Sequence, residues 1–541
     1  MTRMTTAEAT VECLIGNGID TIYGLPGLHN DALFDAFHRA KDRLRVLHTR
    51  HEQTAGYMAL GAALATGKPQ AFAVVPGPGV LNASAALLTA YGMNAPVVAL
   101  VGQIPHKDID RAYGHLHELP DQLGLLRHIT KAAARVRAAH DAPAIVCDLI
   151  RQSISGRQRP VAVECAIDIW GRAGSVELPS EPVAPVRTPV DEDAVEAAAK
   201  ILGKAKRVLI VVGGGAQDAS AEVRHVAEML EAPVVGYRRG RGVLASSHRL
   251  SVPLPIAHRL WKEADAVLAI GTRLFQQQSQ WGVDADLNIV RIEIDPEEPD
   301  RFSKTAAAVI GDAASVLRTL LIRLAKHNVK RGSRQEELAQ HRVWFAERLK
   351  RLEPQVSYLK AMRAALPEDG IFIDEVTQVG FASRIAFPVE QPRTFLSPGY
   401  QDNLGWGYGA ALGVKSALPD RAVLAIAGDG GFLYQIGELA TAAQHRLAVV
   451  VVVFDDGAYG NVKRIQQERF GNRLIACELQ NPDFTKLAES FGVAAFRAKT
   501  AADLERVLKK AFALDAPALV HVPCGEMPSP WDMILMPRVR G

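Results

Sequence analysis

The sequence predicts an α/β protein built of three doubly wound parallel-sheet domains, and three observations carry that prediction. Short apolar runs bounded by glycine and proline recur along all 541 residues: RVLHT, AFAVVP and PVVALVG early, RVLIVVGGG and DAVLAIG in the middle, GIFIDE, AVLAIAG and AVVVVVF late. Helix-patterned segments separate these runs, and continuous apolar runs of this length read as strands covered on both faces, the condition of a parallel sheet. A chain of this size also exceeds one ordinary hydrophobic core, so three domains of roughly 150–200 residues are expected.

Two segments interrupt the rhythm. VELPSEPVAPVRTPVDED, residues 176–193, holds four prolines within eleven residues and reads as an extended linker. KHNVKRGSRQEE, residues 326–337, is charged and contains glycine, and a helical stretch follows it. The expected domains are residues 1–180, 190–330 and 350–541. No short-period repeat is present, although the first and third domains share a rhythm.

Composition narrows the functional classes. With 48% apolar and 22% charged residues the chain resembles a soluble globular enzyme and not a disordered or fibrous one. Basic residues exceed acidic ones by only three and are scattered, so no electrostatic footprint for nucleic acid exists and a small-molecule partner is favoured. The five cysteines (Cys13, Cys147, Cys165, Cys477, Cys524) form no Cys-x-x-Cys pair and are expected as buried thiols in a reducing cytoplasm. The N-terminal stretch is acidic and lacks a secretion-type apolar region. The longest apolar run, LAVVVVVF, has eight residues, against roughly 20 for a membrane span. A soluble protein with no membrane partner is the expectation.

The chemistry concentrates in GDGGFLYQIGELATAAQHRLAVVVVVFDDGAYGN, residues 428–461. RAVLAIAGDGG places Asp429 at the C-terminal end of a buried strand, where open α/β sheets bind ligands. The flanking glycines let the backbone approach an anion or a metal closely. The next strand, Ala448 to Phe454, delivers Asp455 and Asp456 to the same edge, with Asp456 27 residues beyond Asp429. Two converging carboxylates suit a hard cation such as magnesium, which also takes phosphate oxygens as ligands. The bland alternative is a plain turn with solvated aspartates.

This segment resembles the diphosphate-binding motif of thiamine-diphosphate enzymes, which runs from Gly-Asp-Gly through a helix and strand to Asn-Asn. The resemblance implies Asp429, Asp456 and the backbone carbonyl of Ala458 as magnesium ligands, with Gly428, Gly430, Gly431, Tyr459 and Gly460 lining the cofactor. Asp455 and Asp456 stand where the family usually has two asparagines; Asp455 is not expected to ligate.

Other motifs extend the resemblance over nearly the whole chain, closest to the acetolactate synthase large-subunit group. YGLPGLHNDALFDAF, LHTRHEQTAGYMALG and VVPGPGVLNA imply Pro26, Gly27 and Asn82 as cofactor-binding residues. By motif position Glu52 is the glutamate that bonds N1′ of the aminopyrimidine, a role that calls for an apolar pocket raising its pKa. Its alternative reading is an ordinary N-terminal helix charge. In QDNLGWGYGAALGVK, Leu404 corresponds to the side chain that wedges between the two cofactor rings, and the carbonyl near Asp402 takes the 4′-amino group. DEVTQVG implies Thr377 and Gln378 beside the diphosphate. In this family the cofactor lies between subunits, so a homodimer at minimum, and a homotetramer, are implied.

The substrate is less legible. Acetolactate synthases usually show Phe-Gln before Glu in the first domain, where LHELPDQ has Leu116 and His117, and a tryptophan where NVKRIQQ has Ile465. Val75 occupies the place of a loop histidine found in benzoylformate decarboxylase, and the adjacent histidines of pyruvate decarboxylases are missing. His29, His117, Gln103 and Gln122 remain as candidates near the reacting carbon, and imidazoles there would move protons near neutrality. Each histidine reads equally well as structural; His51 is expected to face away.

The middle domain carries RVLIVVGGGAQD, a weak dinucleotide fingerprint, since Asp218 stands at the third glycine's place. Arg238, Arg239 and Arg241 suit either an ADP-like phosphate or an interface. FAD or ADP in this domain is an option but not the favoured one. The reading is thus a thiamine-diphosphate and magnesium enzyme acting on a 2-oxo acid or acyloin. The alternatives are a 2-hydroxyacyl-CoA lyase or oxalyl-CoA decarboxylase-like enzyme, or a flavin-dependent pyruvate oxidase-like oxidoreductase.

Overall fold

A computed structural model describes residues 1–541. Three parallel sheets follow one another along the chain, as the alternation of apolar runs and helical segments predicts. The first runs, in spatial order, Arg45–His48, Thr21–Gly24, Gln70–Val74, Val97–Gln103, Val161–Ala166, Ala132–Val136. The last runs Phe395–Leu396, Ile371–Ile373, Val423–Gly428, Val449–Asp455, Ala518–Pro523, Ala494–Arg497. Counting strands of each sheet in chain order, both read 2-1-3-4-6-5. The middle sheet, Val234–Gly236, Val208–Val212, Ala266–Ile270, Asn288–Glu293, Ala307–Ile310, reads 2-1-3-4-5.

Local sequence explains the strands. Val449 to Val453 are all buried, because a neighbouring strand lies on each side and helices cover both faces. Five successive β-branched side chains, stiff at χ1, favour this pleated geometry. In such sheets the crevice forms beyond the C-terminal ends of the strands, where the strand order reverses between strands 1 and 3. An antiparallel pair, Thr2–Thr5 with Ala173–Val176, ties the chain's start to the end of the first unit. Residues 177–191, the proline-rich stretch, carry no helix or strand.

The first and third units meet through two helices, Glu52–Thr66 and Gly407–Ala417. Both are rich in alanine and glycine and buried nearly all round, as expected of helices apolar on every side. A Cβ at Gly61 would strike the Ala410 carbonyl, and one at Gly413 would strike the Met58 carbonyl. The contact is therefore backbone against backbone. A buried charge network joins the middle and last units: Arg384 bonds Asp374 at 2.9 Å and Asp402 at 2.6 Å, while Arg238 reaches the same Asp402 at 3.0 Å. No helix is long and apolar enough to cross a membrane.

Candidate active site

The crevice of the third sheet is built from three strand ends. Ile371–Ile373 leads into the loop carrying Thr377 and Gln378, Val423–Gly428 ends one residue before Asp429, and Val449–Asp455 ends one residue before Asp456. Gly428 pairs with Phe454, so the two acidic turns emerge side by side. They open on a cavity of about 200 Å³, whose 15 lining residues include Thr377, Gln378, Leu404, Asp429, Asp456 and Tyr459, all from the third unit. Gly428, Gly430, Gly431, Ala458 and Gly460 also line it. A Cβ at Gly430 would fall 2.6 Å from the Tyr459 ring, and one at Gly431 would meet the Glu375 carboxyl. The glycines are required by space.

The electrostatics of this cavity suit a cation. Burial pushes the Asp429 carboxyl above its usual range. Burial, and then the neighbouring Asp429, push Asp456 up to about 7. Two carboxyls that resist ionising together, beside the Ala458 backbone, form an oxygen donor set suited to a hard divalent ion. Gln378 Oε1 is buried and has no hydrogen-bond partner. A glycine cradle fits a diphosphate carried by such an ion, and the unpartnered Gln378 oxygen suits a donor or the ion and not the phosphate oxygens.

Asp455 turns away from the cavity. Its Oδ2 meets His521 Nε2 at 2.9 Å, and its Oδ1 accepts from Asn481 Nδ2 at 2.8 Å. The same Asn481 nitrogen donates to Asp429 Oδ2 at 2.6 Å. Beneath Leu404 lies Glu375, fully buried, accepting from the backbone nitrogens of Gly405 at 2.7 Å and Gly407 at 3.2 Å. Burial pushes its carboxyl up to about 7. Sequence reading passed over Glu375, Asn481 and His521. Only Glu375 had a visible signal, an acid ending the strand-like run GIFIDE. Asp402 lies outside the cavity lining; its carboxylate is bound by Arg384 and Arg238, and its backbone is left-handed, with φ 45°.

The first unit presents the second cluster. Glu52 opens the Glu52–Thr66 helix, half-buried, and its Oε2 accepts from Asn82 Nδ2 at 3.0 Å. Val75 packs close to Gly27 and Gly79, and the Cβ position of Gly79 lies 3.7 Å from Glu52 Oε1, so an apolar wall stands beside the carboxyl. The preceding loop is docked on the third unit: Arg50 N donates to Glu438 at 3.1 Å, and Thr54 Oγ1 to Gln435 at 2.6 Å. His51 faces away as the helix cap, its Nδ1 accepting from Gln53 N at 3.1 Å. His29 and His117 stack with ring centroids 5.2 Å apart. Burial and then His117 hold the His29 imidazole below its ordinary pKa, and Nδ1 of both rings is buried without a partner.

Gln103 and Gln122, expected beside the reacting carbon, are bound elsewhere. Gln103 donates to Glu164 at 3.1 Å and accepts from Ile104 N at 2.8 Å. Gln122 donates to Glu164 and to Gly102 O, both at 3.0 Å, and accepts from Gly77 N. Glu164, paired with Arg135, collects both amides into a buried knot that shapes the Gly77 and Gly102 turns. The arginines of the middle unit also separate. Arg238 is committed to Asp402, and Arg241 donates to the Ser383 and Phe387 carbonyls at the end of the Gln378–Ala386 helix, an ordinary helix cap. Of these three, Arg239 lines the crevice of the middle sheet, a cleft of about 310 Å³ that Arg273 also lines, and its guanidinium lies over Gly214. Burial brings that guanidinium down to about 10.

Fold and crevice together define the class: an α/β protein whose crevice, lined by glycine turns, suits a phosphate-bearing cofactor. Residues 4–125, 195–320 and 375–522 match, in that order, the N-terminal TPP binding domain, central domain and C-terminal TPP binding domain of thiamine pyrophosphate enzymes. The chain belongs to the thiamine pyrophosphate enzyme family. It is 31% identical to a probable 2-ketoarginine decarboxylase of Pseudomonas aeruginosa, over 96% of this chain and 94% of that one. It is 30% identical to a probable acetolactate synthase large subunit of Methanocaldococcus jannaschii, over 95% and 91%. With the acetolactate synthase isozyme 3 large subunit of Escherichia coli it shares 29% identity over 94% and 92%.

Proposed function

We propose that the protein is a magnesium- and thiamine-diphosphate-dependent enzyme that cleaves the carbon–carbon bond beside the carbonyl of a 2-oxo acid, with decarboxylation as its main reaction. The observation that carries this reading is the pair Asp429 and Asp456 on adjacent strand ends over a glycine cradle. Asp429, Asp456 and the Ala458 carbonyl would hold magnesium. Thr377, Gln378 and the turn glycines would take the diphosphate, and Leu404 would set the bend of the cofactor. Glu52 would bond the pyrimidine, with Pro26, Gly27 and Asn82 around it. When bound, thiamine diphosphate supplies the electron sink for the cleavage.

Two observations favour decarboxylation over carboligation. Leu116, His117 and Ile465 replace residues usual in acetolactate synthases. The buried His29 and the half-buried His117 stack in one spot near Val75, which places two imidazoles, each with an unpartnered Nδ1, together. Decarboxylation ends by placing a proton on the reacting carbon, a step that an imidazole near neutrality can serve. Because no residue of the first unit lines the third unit's cavity, a complete site is assigned to two chains, in a homodimer or a tetramer of dimers. A second reading concerns the middle cleft: the half-buried Arg239 over Gly214 favours a nucleotide diphosphate there, ADP or FAD. A yellow purified protein would identify the flavin.

The test is carbon dioxide release from a panel of 2-oxo acids by protein stripped of cofactor and then restored. Activity should return only with thiamine diphosphate and magnesium together. Glu52→Gln should lower kcat by about 100- to 1,000-fold, the scale of a lost proton-transfer group. Full activity of the stripped protein, or of Glu52→Gln, overturns the reading.

A further inference from the structure

The doublet Asp455–Asp456 puts three carboxylates, counting Asp429, at one pair of strand ends, although the donor set described above uses two. The third is accounted for by two residues that lie far away in sequence. Asn481 lies beyond the helix that follows the doublet, and His521 stands on the Ala518–Pro523 strand, hydrogen-bonded neighbour of Val449–Asp455. His521 is 5% exposed, and its ring packs on Phe484 with centroids 5.3 Å apart, so its orientation is fixed by packing. Asn481 sends both hydrogens of one amide nitrogen to two different carboxylates, Asp429 and Asp455.

We propose that His521 and Asn481 are positioning residues that lock Asp455 out of the metal shell and turn Asp429 into it, so that the cation meets two carboxylates instead of three. The proposal rests on the magnesium–diphosphate reading. Both oxygens of Asp455 carry a protein donor, Oδ2 from His521 and Oδ1 from Asn481, with Gly457 N a further 3.3 Å donor to Oδ1. Neither is left to face the cavity. Asp429 accepts its side-chain hydrogen bond, from Asn481, at Oδ2, on the side away from its other oxygen. A third carboxylate at the metal would set extra negative charge against the diphosphate and displace one of its oxygens. Asn481 thus acts on both acids with one group, and His521 supplies the second anchor that keeps Asp455 rotated away. Outer-shell partners of this kind typically govern metal affinity by 10- to 100-fold.

The experiment is calorimetric titration of full-length, cofactor-free protein with thiamine diphosphate at fixed magnesium, and with magnesium at fixed thiamine diphosphate. Wild-type protein must first bind the two cooperatively; failure at that step sinks the cofactor reading and leaves the lock without an object. Given wild-type binding, His521→Phe, which keeps the packing on Phe484 but removes the donor, is expected to weaken thiamine diphosphate binding about tenfold. Asn481→Ala is expected to weaken it at least as much, because it frees both acids. Asp455→Asn alone should bind as wild type does. In the double variant His521→Phe/Asp455→Asn, affinity should return to within about threefold of wild type, since the carboxylate that needed restraint is gone. Thermal unfolding of the cofactor-free variants reads folding damage separately, and rescue by Asp455→Asn cannot come from repaired packing. Unchanged affinity in His521→Phe, or a double variant no better than His521→Phe, overturns the proposal.

Discussion

Leu404 lies in a loop whose backbone turns left-handed three times, at Gly399 with φ 66°, Asp402 with φ 45° and Gly405 with φ 75°. A non-glycine residue in that region costs roughly 1 kcal/mol, and at Asp402 the two arginines that grip its carboxylate hold the turn in place. Glu375 fixes the other side through Gly405 N and Gly407 N. Leu404→Ala should therefore leave the loop and cofactor affinity near wild type while lowering kcat by about 10- to 100-fold, a loss of positioning readable in steady-state kinetics. Glu375 adds a pH dependence. Its buried carboxyl lies near 7 against an ordinary 4.5, so the folded protein holds this proton more tightly than the unfolded chain. Stability from this group is full below about 4.5, falls as pH rises towards 7, and is flat above, a change of about 3 kcal/mol. Denaturant titration of cofactor-free protein should show that slope, and Glu375→Gln should flatten it.

At the scale of elements, the pair Glu52–Thr66 and Gly407–Ala417 decides how far apart the segments carrying Glu52 and Leu404 lie. Gly413→Ala places a methyl against the Met58 carbonyl and should destabilise the protein by about 1–3 kcal/mol, the usual range for overpacking, measured as a lower denaturant midpoint. The strands were legible because burial on both faces writes itself as a continuous apolar run, and Asp429 and Asp456 were legible because each sits next to such a run. His29 and His117 could be nominated from their loops, but their stacking could not, since 87 intervening residues must fold to bring them together. Gln103 misled for a related reason: a polar residue at a strand's C-terminal end looks catalytic, and only the structure shows Glu164 and the chain itself consuming its amide. Asn481 and His521 act from other elements and leave no local pattern. The arginine cluster was visible, but not its division among an ion pair, a helix cap and a cleft.

For the whole molecule, the separation of the Glu52 cluster from the third unit's cavity gives a direct test of a site shared between chains. Glu52→Gln and Asp429→Asn should each be nearly inactive alone. Mixed and allowed to exchange subunits, they should recover roughly a quarter of wild-type activity, because half the dimers then carry one fully intact site of two. No recovery after proven exchange would place both halves in one chain. The common 2-1-3-4-6-5 order of the first and last sheets gives this arrangement its deeper sense. In the proposed complex, a molecule with an aromatic head and an acidic tail would be clasped by two frameworks of one design, and nothing in the shared strand order makes one of them the head-holder. On that proposal the distinction would lie in a few turns: Gly-Asp-Gly and its acids on one copy, Glu52, Val75 and the imidazoles on the other. The division of labour between two like sheets would then rest on loop chemistry and not on the framework.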